Sequence, residues 1–454
     1  MPEGQRAHQP IWHRSKTGQA RCPVCEHEGE FPLLLDIDSL VPPYPQVSFA
    51  SCPACGTVFQ LDFKSPDYTL GSNIGTGTDR STALKFYLEQ GAGLDTLVLP
   101  AFIARRRPGR RYIEIGCGFG FGLDFAHRAL GFEARGVDPS PIAQEGTKLL
   151  GIDIASRYLT REDAERGGPS DAIAAVEVIE HIEKPYDFLA ILKANLAADG
   201  MLILTTPDAG YIEFAVDKPS LLPVLGAGYH GVLFSRESLA LALRKTGFSD
   251  VQIKVRGAGL FAVAGPGAST IDIDGAFDPE IYRTYLENRL TSFKRRSLLE
   301  AGLAYLPFKR HAKRTMLEVG FSYRLFKHHV NQGNYAEAKP VLRQLARILR
   351  ARDGIDILDV HGLLTRVTAR TWTFEDFVAG LPVCLASIMF FTAMLRLNHD
   401  GDRAGALAYF YATHVVAGIF REAMKTFGID DGETADLEHV AREHIKLVLG
   451  WMSN

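Results

Sequence analysis

Four of the six cysteines fall in two Cys-x-x-Cys pairs, Cys22-Pro-Val-Cys25 and Cys52-Pro-Ala-Cys55, separated by 26 residues. Thiolates paired in this way satisfy the tetrahedral preference of Zn2+ and leave no position open, so the site they predict is structural. A second pattern joins glycine to acid: Tyr112-Ile-Glu114-Ile-Gly116-Cys117-Gly118-Phe119-Gly120-Phe-Gly122. Glycines at such a turn let the backbone approach a ligand with no Cβ in the way. The helix expected to follow offers free N–H donors that suit an anionic group. Asp138 lies 22 residues after Gly116, directly before Pro139. It ends a predicted strand, where its two oxygens can accept from ribose hydroxyls. Two histidines, His181 and His230, are predicted to follow strand ends, and histidine has the ordinary pKa of a base at neutral pH.

The glycine turn discriminates between two ligands. In the dinucleotide pattern G-x-G-x-x-G, counting from Gly116 puts the last glycine on Phe121. Glu114, two residues ahead of the turn, would repel a pyrophosphate but attract the amino group of a methionine moiety. The turn is therefore read as a site for S-adenosylmethionine. Cys117, inside it, reads as a small packing residue rather than a nucleophile.

The elements that must position these residues alternate from Arg111 onward. Strands are predicted at Arg111–Ile115, Ala134–Asp138, Ile152–Tyr158, Asp171–Val178 and Met201–Thr205, with helices at Gly120–Leu130, Ile142–Leu150, Pro185–Leu196 and Arg236–Thr246. Such alternation makes a parallel sheet with helices on both faces. Val251–Val255 and Leu260–Val263 follow with no helix between them, as an antiparallel hairpin at one edge would. Residues 1–65 read as a metal-stapled module too small for its own core, expected to cover the substrate cleft. Residues 66–270 read as the cofactor-binding domain. Residues 271–454, where the strand signal stops, read as helices.

The stretch Ile113 to Gly120 resembles the first motif of the class I S-adenosylmethionine-dependent methyltransferases, in particular their small-molecule and glycan branch. Gly136-Val-Asp138-Pro139-Ser140 is similar to that family's ribose-binding strand end, and Asp171 to His181, ending Val176-Glu177-Val-Ile-Glu180-His181, to its fourth strand. Leu196 to Pro207 resembles its fifth strand, and Tyr229-His230 leading to Phe234-Ser235 a later stretch; together the likeness covers about residues 80–265. It implies an α/β class with a Rossmann-like, seven-stranded methyltransferase sheet, to which the cysteine spacing adds an N-terminal zinc-knuckle module and the end of the strand signal an all-α C-terminal domain. It implies that Glu114, Gly116, Cys117, Gly118, Gly120, Asp138, Pro139 and Glu177 bind the cofactor, with Asp163 near the adenine.

The implied reaction is methyl transfer to a hydroxyl of a sugar or glycan, either a surface polysaccharide or a sugar nucleotide. His230 is the first candidate for the base and His181 the second; Glu180 and Glu177 could hold a histidine or a substrate hydroxyl. Sugar C-methyltransferases, which also join a zinc knuckle to this fold, carry a Tyr-His-Glu-His-like stretch. Here Gly231 and Val232 replace its last two residues, which favours oxygen over carbon methylation.

With 454 residues, 46% of them hydrophobic and 23% charged, the chain has globular composition and room for two or three domains. A net charge of -3 argues against binding nucleic acid through its phosphates, and clusters such as Arg105-Arg106-Arg107 read as solvated faces. Met1–Lys16 lacks the apolar core of a secretory signal, so the expected place is the cytoplasm, where paired cysteines point to metal rather than disulfides. Phe377–Leu395 holds 19 residues without a charge and just reaches the length of a membrane span. Gly380 and Pro382 put the start of its helix at about Leu381, and a buried helix is expected. The alternative is peripheral contact with the inner face of the membrane or with a lipid-linked acceptor. Other classes of function are a zinc-ribbon nucleic-acid methyltransferase or adaptor and a non-catalytic scaffold. Oligomeric state has no signature in the sequence.

Overall fold

The computed structural model describes residues 10–41, 45–70, 80–89, 93–107, 109–163, 167–212, 221–302, 308–425 and 432–453. The chain forms two compact units. One comprises Met1–Gly77 and Leu94–Asp278, the other Thr78–Gly93 and Pro279–Asn454.

Thirteen strands, all in the first unit, are described: β1 (Ile11–Trp12), β2 (Thr17–Arg21), β3 (Glu28–Asp38), β4 (Gln46–Ser51), β5 (Val58–Gln60), β6 (Arg111–Ile115), β7 (Glu133–Val137), β8 (Ile154–Ala155), β9 (Ser170–Val176), β10 (Leu196–Pro207), β11 (Val232–Leu233), β12 (Val251–Arg256) and β13 (Gly259–Ala264). Seven of them make a sheet in the order β12-β13-β10-β9-β6-β7-β8. Its strands from β10 to β8 are parallel neighbours, while β13 runs antiparallel to both β10 and β12. The expected Rossmann-like sheet and its edge hairpin are therefore present. The expected third strand is only the short β8.

After β6 the chain moves outward to β7, and the later β9 returns to the other side of β6. Ligands of open α/β sheets sit at such a reversal, off the C-terminal strand ends. The turns that leave β6, β7, β9 and β10 all open there, and they carry the predicted site residues other than Asp163.

The N-terminal strands form a second sheet, β1-β3-β4-β5-β11, with β2 also paired to β3. Its last strand comes from the loop that holds His230: Val232 pairs with Phe59 and Leu233 with Val58. The two sheets also share a core, in which Val24, Phe31, Phe59, Ile173, Phe234 and Phe248 are all buried. Residues 1–65 thus have no compact unit of their own, because so short a segment closes its core only by borrowing apolar surface.

The second unit is all helical. The helix Arg80–Glu89 belongs to it rather than to the domain expected over 66–270, and Leu84 and Leu88 on that helix are buried. A Cβ at Gly320 would lie 2.1 Å from the Leu88 carbonyl oxygen, so glycine permits the close approach of the Phe308–Asn331 helix. The apolar stretch near 385 is a broken element. The helix Phe374–Gly380 ends, Leu381–Cys384 turn, and Leu385–Leu395 begins four residues later than expected, with Leu385, Ile388 and Met389 fully buried. Among the described residues no single helix is long and apolar enough to cross a membrane. Phe374–Gly380 and Leu385–Asp400 meet that test only as a pair bent by 55°.

Candidate functional site

The turn after β6 takes its shape from its glycines. Gly116, Gly118 and Gly120 all have positive φ, and Gly120 is the left-handed residue that starts the helix Phe121–Leu130. Gly122 has a different role. A Cβ there would stand 2.5 Å from the Leu97 carbonyl oxygen and 2.9 and 3.0 Å from the two oxygens of Glu114. The Glu114 carboxylate, 1% exposed, leaves its Oε2 without a hydrogen bond. Burial, and then the charge of Asp138, push its pKa up to about 8. An orphaned carboxyl at the foot of a glycine turn is the feature that an ammonium group would satisfy.

Asp138, also buried, is held in place by the turn. Its Oδ2 accepts from the Gly118 amide at 2.7 Å and its Oδ1 from the Ser140 amide at 2.7 Å. Each oxygen keeps a lone pair for a hydroxyl donor. Pro139, half-buried between these partners, sets the chain direction into the helix Pro141–Leu150. Cys117 is buried and burial pushes its thiol well up, in keeping with a packing role.

Asp163 stands apart from this group. Its carboxylate pairs with Arg157 and accepts from the Thr160 amide at 2.8 Å. It closes its own loop, and a contact with an adenine is a role that these bonds do not prepare.

At the end of β9, Glu177 is a non-glycine residue with φ of 52°. Such strain persists where surrounding bonds hold it and gathers at functional sites. Here the Glu177 amide donates to the Thr205 carbonyl at 3.1 Å, and the Thr205 hydroxyl donates to Glu177 Oε1 at 2.7 Å. The next residue, Val178, touches the first turn: a Cβ at Gly116 would lie 2.5 Å from Val178 Cγ2. The turns after β6 and β9 are therefore in contact.

Glu180, His181 and His230 converge beyond Val178. Each offers one ligand atom, and the three atoms lie within 4.8 Å of one another. Glu180 is fully buried; its Oε2 accepts from the Thr206 hydroxyl at 2.9 Å, while Oε1 has no hydrogen bond. The histidine rings meet edge to face, with centroids 4.8 Å apart. His181 Nδ1 lies 3.1 Å from the Tyr229 carbonyl and 2.9 Å from the Tyr68 hydroxyl. His230 Nδ1 lies 2.8 Å from the Val224 carbonyl. A carbonyl can only accept, so in His230 Nδ1 carries the proton and Nε2 presents a lone pair; at His181 the Tyr68 hydroxyl can donate to or accept from the same Nδ1. Burial, then the neighbouring His230, push His181 down to about 3, and burial pushes His230 down to about 4. The ordinary histidine pKa expected from sequence does not hold in this place, because the rings are desolvated next to each other.

The segment after the N-terminal sheet also reaches this cluster. Ser65 donates to the His181 carbonyl at 2.8 Å, and Lys64 pairs with Glu183 at 2.8 Å. Phe63 explains Gly231, since a Cβ there would lie 2.0 Å from the Phe63 ring. Neither Glu at 231 nor a free side chain at 232 is compatible with this packing and with β11. Tyr68, Thr205 and Thr206 were not singled out from sequence. For the threonines the signal was available, as a Thr-Thr pair ending a strand; for Tyr68 nothing local announces it.

The four paired cysteines come together as expected. Their sulfurs lie within 4.8 Å of one another, with Cys22 Sγ 3.6 Å from Cys55 Sγ and Cys25 Sγ 3.4 Å from Cys52 Sγ. Sulfurs about 2.3 Å from a tetrahedral zinc stand roughly 3.8 Å apart, so the donor set fits that ion. The two knuckles share one geometry: Cys22 and Cys52 donate their amides to the His27 and Thr57 carbonyls, at 2.9 and 2.8 Å. The second knuckle rests on the methyltransferase-like part, where the Ser235 hydroxyl donates to the Cys55 carbonyl and Ser235 also caps the helix Arg236–Lys245.

Residues 89–253 match the family described as a methyltransferase domain. Over 104 residues the chain is 36% identical to a ubiquinone biosynthesis O-methyltransferase of Caulobacter sp. (strain K31), a stretch covering 22% of this chain and 41% of that one. Over 105 residues it is 31% identical to the mitochondrial ubiquinone biosynthesis O-methyltransferase of Schizosaccharomyces pombe, covering 22% and 38%. The chain thus spans about two fifths of the length of these curated relatives. A solved SAM-dependent methyltransferase from Archaeoglobus fulgidus is 16% identical with a TM-score of 0.34, covering 41% of this chain and 100% of that one. The likeness to a methyltransferase domain is thus borne by residues 89–253. None of these names mentions a glycan, so the expected likeness to the glycan branch gains no support from them.

Proposed function

We propose that this chain is an S-adenosylmethionine-dependent O-methyltransferase. The observation that carries the reading is the Glu114 carboxyl, buried and unpartnered under a glycine turn whose Gly118 amide anchors Asp138. Glu114 would receive the amino group of the cofactor's methionine part and Asp138 its ribose hydroxyls, while Gly116, Gly118 and Gly120 give the backbone clearance. When bound, S-adenosylmethionine supplies an electrophilic methyl on a sulfonium, a good leaving group, so that positioning of the nucleophile does most of the catalytic work.

The acceptor hydroxyl is assigned to the group formed by Glu180, His181 and His230. Their lone pairs converge one turn away from the glycine loop, and there the acceptor's proton has somewhere to go. The names of the relatives favour oxygen as the methylated atom, and Phe63 against Gly231 leaves no room for the side chain of the C-methylating pattern. The acceptor itself is taken to be a hydroxylated small molecule or glycan, free or lipid-linked, worked on at the cytoplasmic side of the cell. The four-cysteine cluster is assigned a structural zinc that fixes the N-terminal sheet against the loop of His230.

Calorimetric titration with S-adenosylmethionine, run beside NADH, tests the central claim. Micromolar binding of S-adenosylmethionine alone, weakened by Asp138→Ala, is the expected result; no binding to folded protein would overturn it.

A further inference from the structure

We propose that Gln60 is a positioning residue of the acceptor site. It clamps the loop of Tyr229 and His230 from both ends, so that the cysteine module sets the acceptor groups while the cofactor groups are set elsewhere. The inference rests on the methyltransferase reading and concerns the acceptor half of that site alone.

A single residue makes the clamp. Gln60 ends β5 and is 5% exposed. Its side-chain Oε1 accepts from the Gly228 amide at 3.0 Å, and its own amide donates to the Gly231 carbonyl at 3.0 Å. Tyr229 and His230 are the residues between those two bonds. Neighbours in the module add to the hold: the Leu40 amide donates to the Ala227 carbonyl at 2.9 Å, and Val58 and Phe59 pair with Leu233 and Val232. Gly228 lets the module come this near, for its φ is 88° and a Cβ there would lie 2.4 Å from Ser39 Oγ. A buried amide that loses its acceptor is penalised by its desolvation, so the loop keeps this path only while Gln60 offers its oxygen.

The loop in turn holds the whole acceptor group. The Tyr229 carbonyl faces His181 Nδ1 at 3.1 Å, the His230 ring meets the His181 ring, and the Gly231 amide donates to the Glu180 carbonyl at 2.7 Å. The three side chains assigned to the acceptor hydroxyl thus share one support in residues 228–231. Glu114 and Asp138 are shaped by other contacts, with Gly122, Gly118 and Ser140. Positioning is what methyl transfer asks of the protein, and a misplacement of about 1 Å can cost about 100-fold in rate.

The test uses the zinc-loaded full chain and three variants. Gln60→Leu keeps the size and removes the oxygen, Gln60→Glu keeps an acceptor at the same reach, and Gln60→Asn draws the amide back by one methylene. Hydrogen exchange read by mass spectrometry follows the peptide 226–233. Diethyl pyrocarbonate labelling, mapped in the same way, reports access to His181 and His230, and calorimetry reports S-adenosylmethionine binding. In Gln60→Leu the peptide should exchange at least about tenfold faster, and both histidines should label faster than in the wild type. S-adenosylmethionine affinity should stay within about threefold. Gln60→Glu should restore slow exchange and slow labelling. Wild-type exchange and labelling in folded Gln60→Leu would overturn the proposal, and so would a Gln60→Glu chain that behaves like Gln60→Leu. If Gln60→Leu does not fold, Gln60→Asn must show the same faster exchange and labelling, and wild-type behaviour there overturns the clamp. A wild-type chain that binds no S-adenosylmethionine defeats the methyltransferase reading and leaves exchange and labelling to judge the clamp. Binding that fails only in Gln60→Leu would overturn the separate setting of the two halves.

Discussion

The two oxygens of Glu114 lie 2.9 and 3.0 Å from the place that a Cβ on Gly122 would occupy. The glycine on the first turn of a helix thus makes room for an acid on the strand before it, and the two residues act as one unit.

Gly122→Ala should therefore disturb cofactor binding more than its size suggests. The new methyl meets the Leu97 carbonyl as well as Glu114, and overpacking of this kind costs about 1–3 kcal/mol. Titration calorimetry should show S-adenosylmethionine bound at least tenfold more weakly, a difference of about 1.4 kcal/mol.

A pH dependence follows from the raised pKa of Glu114. The folded value of about 8 lies above the ordinary 4.5, so the cofactor-free folded protein holds a proton that the unfolded chain has released. That contribution to stability is complete below about pH 4.5 and is lost as pH rises through about 8. Glu114→Gln should flatten this fall in thermal melts of the cofactor-free protein. Binding of an ammonium group favours the ionised carboxylate, so uptake of S-adenosylmethionine near pH 7 should release a proton. Calorimetry in buffers of different ionisation enthalpy would detect it; proton release that persists in Glu114→Gln would assign the effect elsewhere.

The two acids after β7 should separate in their effects. Asp138→Ala removes the partner of the Gly118 and Ser140 amides and should lower S-adenosylmethionine affinity more than tenfold. Asp163→Ala frees only Arg157 and the amide and hydroxyl of Thr160, and its affinity should stay within about threefold, under 1 kcal/mol. An equal loss in both variants would restore the adenine contact inferred for Asp163 by resemblance.

Loss of the zinc proposed for the four cysteines should be felt at a distance in sequence. The N-terminal sheet includes β11, next to His230, and shares a core with the larger sheet. Cys52→Ser should leave no thiolate-bound zinc by elemental analysis and lower the melting temperature by at least about 5 °C, since each kcal/mol shifts a domain of this size by roughly 2–4 °C. An unchanged melting temperature would show that the packing holds the module without metal.

Gly231→Ala should destabilise the protein through the Phe63 ring, and Phe63→Ala should relieve it. In a double-mutant cycle the two changes should couple by about 0.5–3 kcal/mol, as residues in contact do; additive effects would remove this account of why glycine stands there.

Much of the chemistry was local and so was legible in the chain. The glycine turn, Glu114 and Asp138 lie within 25 residues of one another, on consecutive strand ends whose pattern of alternation predicts a parallel sheet. The cysteine pairs likewise declare themselves by spacing, because a knuckle is a property of four consecutive residues. Boundaries were harder to read: the apolar run near 385 predicts a helix, but only the packed structure shows the break at Leu381–Cys384.

What tertiary structure alone decided is how distant pieces share one place. Tyr68 meets His181, Phe63 excludes a side chain at 231, and β11 joins a sheet begun at Ile11. His181 and His230, read singly as bases of ordinary pKa, become a desolvated pair with Glu180 because three separate loops bury them together. Residue type and spacing determine which ligands a chain can serve; the pKa of a side chain and the company it keeps depend on contacts across long stretches of sequence, which only folding brings about.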